Sequence, residues 1–297
     1  MKRRDAFDSY HPIVIFTFFV YVVLITMFFN NPFILGISFI SSFIYSVMLN
    51  GRKALKFNLL FIPMIVLSAG FNVLFNHAGM TILTYFSNGN PLTLESIVYG
   101  FVVGTMIVSV IWWFSCYNKI MTSDKFIYIF GSIIPALSLI FSMVLRFVPN
   151  YHDRIKKISR AQKCVGRDIS DGNIFVRIRN GLKILSIMAT WALENGVDTA
   201  DSMNARGYGL KGRTSYSNFR FDDRDKLVFS IMIVLIIFTV ISIFIGSYKM
   251  IYFPAIKFNT KNIMPIISYI AFFIFCNIPA FLHIREEKLW KYLESQI

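Results

Sequence analysis

The chain has 297 residues, 56% of them hydrophobic and only 15% charged, with a mean hydropathy of +0.59. Soluble domains carry about 25% charged residues, so this composition excludes a soluble enzyme and points to an integral membrane protein. The net charge of +14 would suggest a nucleic-acid partner in a soluble chain, but here Lys and Arg flank apolar runs. That is the pattern of cytoplasmic loops beside membrane spans, and no nucleic acid is expected.

Seven apolar runs follow in order: Pro12–Phe29, Phe33–Leu49, Phe57–Phe75, Leu94–Phe114, Phe126–Val148, Leu227–Gly246 and Ile263–Leu282. Each reaches the roughly 17–25 residues a spanning helix needs. Lys2, Arg3 and Arg4 place the N-terminus in the cytoplasm, with no small-residue cleavage site after the first run. Asn30-Asn31-Pro32 is then an outer turn, and Arg52, Lys53 and Lys56 return to the inside. The stretch from Asn76 to Thr93 has no Lys or Arg and fits the outside.

The fifth run is the exception. If it spanned, the segment from Asn150 to Lys226, with fifteen Lys/Arg against nine Asp/Glu, would lie outside and invert the charge rule. Gly131 and Pro135 interrupt it, and it carries Arg146. Residues 123–148 are therefore expected to form two interfacial or cytoplasmic helices, with a kinked span as the alternative. The count becomes about six spans in an all-α helical bundle with long cytoplasmic amphipathic helices. Three stretches result: 1–122 with about four spans, 123–226 as the cytoplasmic or interfacial region, and 227–297 with about two spans and a tail.

Within the middle stretch, Pro149–Val165 reads as a basic amphipathic helix. Ile155, Ile158, Ala161, Gln162 and Val165 form one face, and Arg154, Lys156, Lys157, Arg160 and Lys163 surround it. A break at Gly166 to Gly172 precedes a second helix from about Phe175 to Arg206. Leu185, Met188, Trp191, Ala192, Ala200 and Met203 form its apolar or small face. Gly207 and Gly209 end it, and Asn195-Gly196 is a candidate bend. Ala205-Arg206-Gly207 thus presents one long cation between two residues with almost no side chain. This suits a plug for a groove on a partner, and not catalysis, since arginine stays protonated.

Chemical motifs are scarce. No GxxxxGKS or GxxxxGKT is present, so no nucleotide site of that kind is expected. HExxH and GxSxG are missing too. His11, His77, His152 and His283 are isolated, and Cys116, Cys164 and Cys276 are far apart and odd in number, which speaks against zinc or a disulfide framework. The spans carry essentially no acidic or basic residue of the kind a coupled transporter keeps in mid-membrane. Asn72 and Asn277 are their notable polar residues, read as helix–helix hydrogen-bonding groups. Gly100 and Gly104 form a GxxxG that permits close helix approach, either inside the bundle or toward another membrane protein. No catalytic residue, cofactor or metal is expected.

Four stretches carry a resemblance: Asn72 to Thr81, Ser142 to Pro149, Ala161-Gln162, and above all Ala200 to Gly209 with Arg213-Thr214 after it. On these the chain resembles the transmembrane T component (EcfT/CbiQ type) of energy-coupling factor importers, a class of ABC transporter. The resemblance implies a non-enzymatic coupling subunit in a bacterial cytoplasmic membrane, serving vitamin or transition-metal uptake. It implies two ABC ATPase subunits as partners, alike or different, and a small membrane S component that binds substrate. Each of two coupling helices would dock an arginine-centred motif into one ATPase.

The second motif is intact at Ala205, Arg206 and Gly207. The first departs: Lys163, Cys164, Val165 and Gly166 stand where the family has an Ala-Arg-Gly or Ala-Arg-Ser, with valine in the arginine's place; Lys163, Arg160 and Arg167 are candidates to substitute after a small shift, though none is in the expected phase. Met203, Ala200, Arg160, Ala161 and Gln162 would support the two ends. Gly100 and Gly104 are candidates for packing against the S component. Arg146 is read as a residue at the membrane edge or as a docking residue. The rival readings are a stand-alone permease or channel, a lipid-modifying enzyme, for which Asp198 and Asp201 offer no catalytic cluster, and a membrane-anchored nucleic-acid binder.

Overall fold

The computed structural model describes residues 6–85, 89–168, 170, 172–210, 219–258 and 263–295. The chain divides into two compact units, one from Met1–Phe126 with Phe219–Ile297 and one from Ile127–Asn218. Residues 127–218 are thus inserted between the two parts of the first unit.

The first unit holds α1 (Pro12–Phe28), α2 (Pro32–Asn50), α3 (Arg52–Phe75), α4 (Leu94–Ile120), α8 (Asp223–Phe244) and α9 (Met264–Glu294). Their starts follow from local chemistry. Pro12 and Pro32 sit in first turns, where a missing N–H costs nothing. Asn31 Oδ1 accepts from Phe33 N at 3.0 Å, and Thr93 Oγ1 accepts from Ser96 N at 3.4 Å. Asp222 and Asp225 form a reciprocal capping box at α8. Gly51, at φ +61°, ends α2 where α3 begins.

Among the described residues, five helices are long and apolar enough to cross a membrane: α2, the Ala54–Phe75 stretch of α3, α4, α8 and α9; α1 is a shorter apolar helix of 17 residues. The chain is thus a multi-pass membrane protein. Its aromatic residues fill the centre of this unit. Phe18 stacks on Phe275 at 5.3 Å and meets Trp113 edge-on at 5.8 Å. Trp113 Nε1 donates to Ser38 Oγ at 2.9 Å, and Ser38 also bonds Thr26. Ser38, Ser41, Ser42 and Ser46 are all buried on α2, a row of small polar residues that the sequence reading did not single out. Asn277 donates to Ser41 Oγ at 3.1 Å, and Asn72 Oδ1 accepts from Ser96 Oγ at 3.1 Å, so both span asparagines tie helices together.

Two small hairpins complete the unit. β1 (Ile82–Tyr85) pairs antiparallel with β2 (Pro91–Thr93), Ile82 opposite Thr93 and Tyr85 opposite Pro91. β3 (Met250–Ile251) pairs with β4 (Lys257–Phe258). The Asn72 to Thr81 stretch is the brace between α3 and the first hairpin. Thr81 donates from both N and Oγ1 to the buried Glu95 carboxylate, and a side chain at Gly79 would strike Glu95 and Thr93.

α5 (Ser123–Ile133) leads from the first unit into the second, which contains α6 (Pro135–Cys164) and α7 (Ile174–Ala205). The break before Pro135 is where the sequence placed it. Pro149 is different. It was expected to open a new helix, yet α6 runs through it for 30 residues. A proline removes one intrahelical bond, and an amphipathic stripe packed on α7 outweighs that single loss. α9 likewise runs through Pro279 to Glu294, so the tail expected after Leu282 continues the helix.

Candidate docking site

α6 and α7 run antiparallel and pack along one stripe each. On α7 the covered positions are Ile184, Met188, Trp191, Asn195, Thr199 and Met203, at helical spacing. On α6 they include Met143, Phe147, Tyr151, Ile158 and Gln162. Tyr151 meets Trp191 edge-on at 5.6 Å, and the Arg154 guanidinium lies 4.9 Å from the Trp191 ring centre. These contacts revise the expected faces. Ile155, Ala161, Val165, Leu185 and Ala200 lie on exposed sides, and Ile184, unnoticed in the sequence, is buried. A helix stripe turns by about 100° per residue, so a choice between Ile184 and Leu185 needs the partner helix. α7 continues through Asn195-Gly196 without interruption.

The two helix ends are built alike. At the end of α7, Gly207 has φ +80°; its N–H donates to Asn204 O at 3.0 Å, and Tyr208 N–H donates to Met203 O at 3.0 Å. At the end of α6, Gly166 has φ +73°; its N–H donates to Lys163 O at 3.0 Å, and Arg167 N–H donates to Gln162 O at 2.9 Å. Each is a complete Schellman cap, a glycine in left-handed conformation closing the last turn with paired reverse bonds. The match fixes a correspondence: Cys164 with Ala205, Val165 with Arg206, Gly166 with Gly207, Gln162 with Met203. Val165 therefore occupies the same backbone position as Arg206, and both side chains are exposed.

Lys163, beside the α6 tip, has a side chain that is 69% exposed. Lys163 Nζ is paired with Asp168 Oδ2 at 2.8 Å. Asp168 is further held by Ser170 N, which donates to Oδ1 at 3.2 Å, while Asn180 Nδ2 on α7 donates to Asp168 O at 2.9 Å. Lys163 beside it, with the Ser170 bonds, holds the Asp168 carboxyl well below the usual carboxylate range. Arg160 and Ala161 are exposed one turn earlier.

Beside the α7 end lies a groove of about 640 Å³ lined by Arg146, Phe147, Asp198, Ser202, Met203, Arg206 and Tyr208, among others. Arg146, read from the sequence as a membrane-edge or docking residue, thus shares a cavity with Arg206. Gly100 and Gly104 belong to the other unit. A Cβ at Gly100 would lie 2.7 Å from Ala69 Cα, and one at Gly104 2.8 Å from Ile65 Cα. Their GxxxG seam is filled by α3 of the same chain. Arg213 and Thr214 lie outside the described residues.

The family model named CbiQ, described as a cobalt transport protein, matches residues 10–216. The chain belongs to the EcfT/CbiQ family. Curated relatives agree with that membership. The transmembrane protein EcfT of an energy-coupling factor transporter from Staphylococcus aureus is 37% identical over 98 residues, covering 33% of this chain and 37% of that protein. The protein of the same name from Lactococcus lactis is 37% identical over 103 residues, covering 34% and 39%. An uncharacterized protein of Mycoplasma pneumoniae is 30% identical over 154 residues, covering 48% and 36%. The matched segments span under two fifths of these relatives' lengths. Both capped helix ends of this chain lie inside the residues matched by the family model.

Proposed function

We propose that this chain is the coupling subunit of an energy-coupling factor importer in a bacterial cytoplasmic membrane. In this reading the N-terminus and the 123–226 stretch face the cytoplasm. Two ATPase subunits, which carry the ATP hydrolysis, engage the ends of α6 and α7, and a small membrane S component brings the vitamin or metal ion. The observation that carries the reading is the exposed Arg206 at the Schellman-capped end of a 32-residue helix. A rigid helix of that length spans about 48 Å, so motion at its tip is transmitted along it.

Arginine suits the docking role, because its charge persists at all physiological pH and its fork makes several hydrogen bonds. The docking set is Ala205, Arg206 and Gly207 at one end and Lys163, Cys164, Val165 and Gly166 at the other. Met203 and Gln162 anchor the caps through their carbonyls. Packing of the S component is proposed on the α3–α4 pair as a unit, since Gly100 and Gly104 are themselves filled by α3.

The test is a tagged pull-down from native membranes, wild type beside Arg206→Glu, with the captured chains identified by mass spectrometry. Two ATPase chains and a small membrane protein with the wild type, and ATPases depleted in the variant, are expected. A wild type that comes down alone would favour a stand-alone permease, and equal ATPase capture by the variant would refute docking at Arg206.

A further inference from the structure

The first unit has a groove of about 650 Å³ between α8, α9 and the region just after the short turn Ala6–Ser9. Its walls are largely apolar. Leu227 and Ile231 come from α8, and Ile274 and Phe281 from α9. These four are 47–67% exposed in the chain, although both helices are apolar enough to lie within a membrane.

Toward one end the groove carries charge. Arg224, in the first turn of α8, and Arg285, late in α9, both line it, together with Glu286. All three act electrostatically on Tyr10 at the same end. The other nearby acids are engaged elsewhere. Asp225 is buried and accepts from His11 N at 3.2 Å and Asp222 N at 3.1 Å. Asp223 pairs with Lys226 at 2.7 Å and Glu287 with Lys291 at 3.0 Å. Asp222 reaches Arg224 only at 4.0 Å. Two guanidinium groups against Glu286 leave this end of the groove positive.

The dimensions select the occupant. The α9 lining runs from Phe273 to Leu289, about 24 Å along the helix axis, so the mean cross-section is roughly 27 Å². A helix with its side chains is about 10–12 Å across and needs roughly 80–110 Å². An extended hydrocarbon chain, packed at carbon contacts of about 4 Å, needs roughly 15–20 Å². The groove holds an acyl chain and is too narrow for another helix.

We propose that the α8–α9 groove binds one phospholipid with an anionic headgroup. Its phosphate sits on Arg224 and Arg285, and an acyl chain lies along Leu227, Ile231, Ile274 and Phe281. A guanidinium fork meets phosphate oxygens through two parallel bonds, and basic pockets between membrane helices suit such headgroups. The residual positive charge matches a phosphodiester that carries no ammonium of its own. Lipid binding here is independent of what the ends of α6 and α7 touch, so ATPase capture and lipid binding can fail separately.

The full-length chain, purified in neutral detergent, is titrated with phosphatidylglycerol or with phosphatidylcholine of the same acyl chains. Native mass spectrometry counts bound lipid, and thermal unfolding reports stabilisation. One phosphatidylglycerol per chain, bound about tenfold tighter than phosphatidylcholine, is expected for a charge-assisted phosphate contact. Equal affinity for the two lipids overturns the anionic site. Arg224→Gln combined with Arg285→Gln should abolish the preference. Lys288→Gln, which removes an exposed charge of α9 outside the groove lining, should keep it. Retention in the double variant, or an equal loss in Lys288→Gln, overturns the assignment to the two arginines.

Ile274→Trp fills the groove and spares both arginines. It should lower the affinity for both lipids, and undiminished binding overturns the acyl position. Lipid-free melting temperatures and size-exclusion profiles report the fold of each variant. Inorganic phosphate should not stabilise the chain; stabilisation equal to that by phosphatidylglycerol would show an anion site without a lipid. A photocrosslinker at position 274 in native membranes should capture lipid, and capture of a protein chain in its place overturns the proposal.

Discussion

Replacing Gly100 with alanine adds one carbon where there is no room for it. The new Cβ would sit 2.7 Å from Ala69 Cα, 2.9 Å from Asn72 Cβ and 3.2 Å from Ala69 O. Two of these are backbone atoms of α3 and cannot rotate away. Restoring ordinary contact requires α3 and α4 to part by most of an ångström, which strains the Ser68 Oγ to Gly100 O bond at 3.3 Å and the Ser96 Oγ to Asn72 Oδ1 bond at 3.1 Å. Overpacking costs about 1–3 kcal/mol, and a backbone collision belongs at the upper end. For a chain of 297 residues that lowers the melting temperature by roughly 3–6 °C.

Thermal unfolding of the detergent-solubilised protein, read by fluorescence size exclusion, measures the shift. Gly36 and Gly70 supply controls within α2 and α3, since an added Cβ meets nothing within 4 Å at either. Alanine there should be neutral or slightly stabilising, because glycine in a helix costs about 0.5–1 kcal/mol relative to alanine. If Gly100→Ala melts with these controls, the close α3–α4 packing is refuted. If it melts early, loss of the S component in that variant reports damage inside this chain and not a lost contact surface.

Other perturbations separate the remaining roles. Gly207→Asn should keep the α7 cap, since asparagine tolerates left-handed backbone, whereas Gly207→Val should fray it and weaken ATPase capture; equal capture by both would show that the cap does not present Arg206. Lys125 Nζ donates to Asp8 O at 2.6 Å and pairs with Asp8 Oδ1 at 2.7 Å while only 8% exposed. Asp8→Ala removes the carboxylate and leaves the buried ammonium on the Asp8 and Ile120 carbonyls, so it should cost about 1–3 kcal/mol in thermal stability, and an unchanged melting temperature would refute the pairing. Ser38→Ala should cost about 1–3 kcal/mol by leaving the buried Trp113 N–H unsatisfied, measurable in the same assay.

The Asp168 carboxyl is held below its ordinary value, so the charged form that clamps Lys163 is fully present above about pH 4 and is lost only as pH falls further, through the folded-state value. Cys164 labelling in the isolated chain should be flat from pH 6 to 8 once corrected for thiolate fraction, while Asp168→Asn should alter it. A pH-dependent step in that range in the wild type would refute the clamp.

The sequence by itself determined the class of this protein. Twenty-residue apolar runs have no stable place outside a bilayer, and the basic excess between Asn150 and Lys226 has a cost when carried across one. Glycine at positions 166 and 207 also announced both helix ends, because a left-handed cap favours a residue without a Cβ. The same local rules misread Pro149, whose single lost hydrogen bond is outweighed by packing that lies far away in the chain. Only the tertiary structure decided which residues of α6 and α7 face each other, since choosing between Ile184 and Leu185 depends on the other helix. It also filled the Gly100 and Gly104 seam with α3, closed Lys163 onto Asp168, and brought Arg146 into the groove of Arg206. Each of those depends on residues distant in the chain or on a loop geometry that composition does not encode. The correspondence of Val165 with Arg206 came from both: the sequence showed the valine in the wrong place, and the matched backbone hydrogen bonds showed that the place was the same.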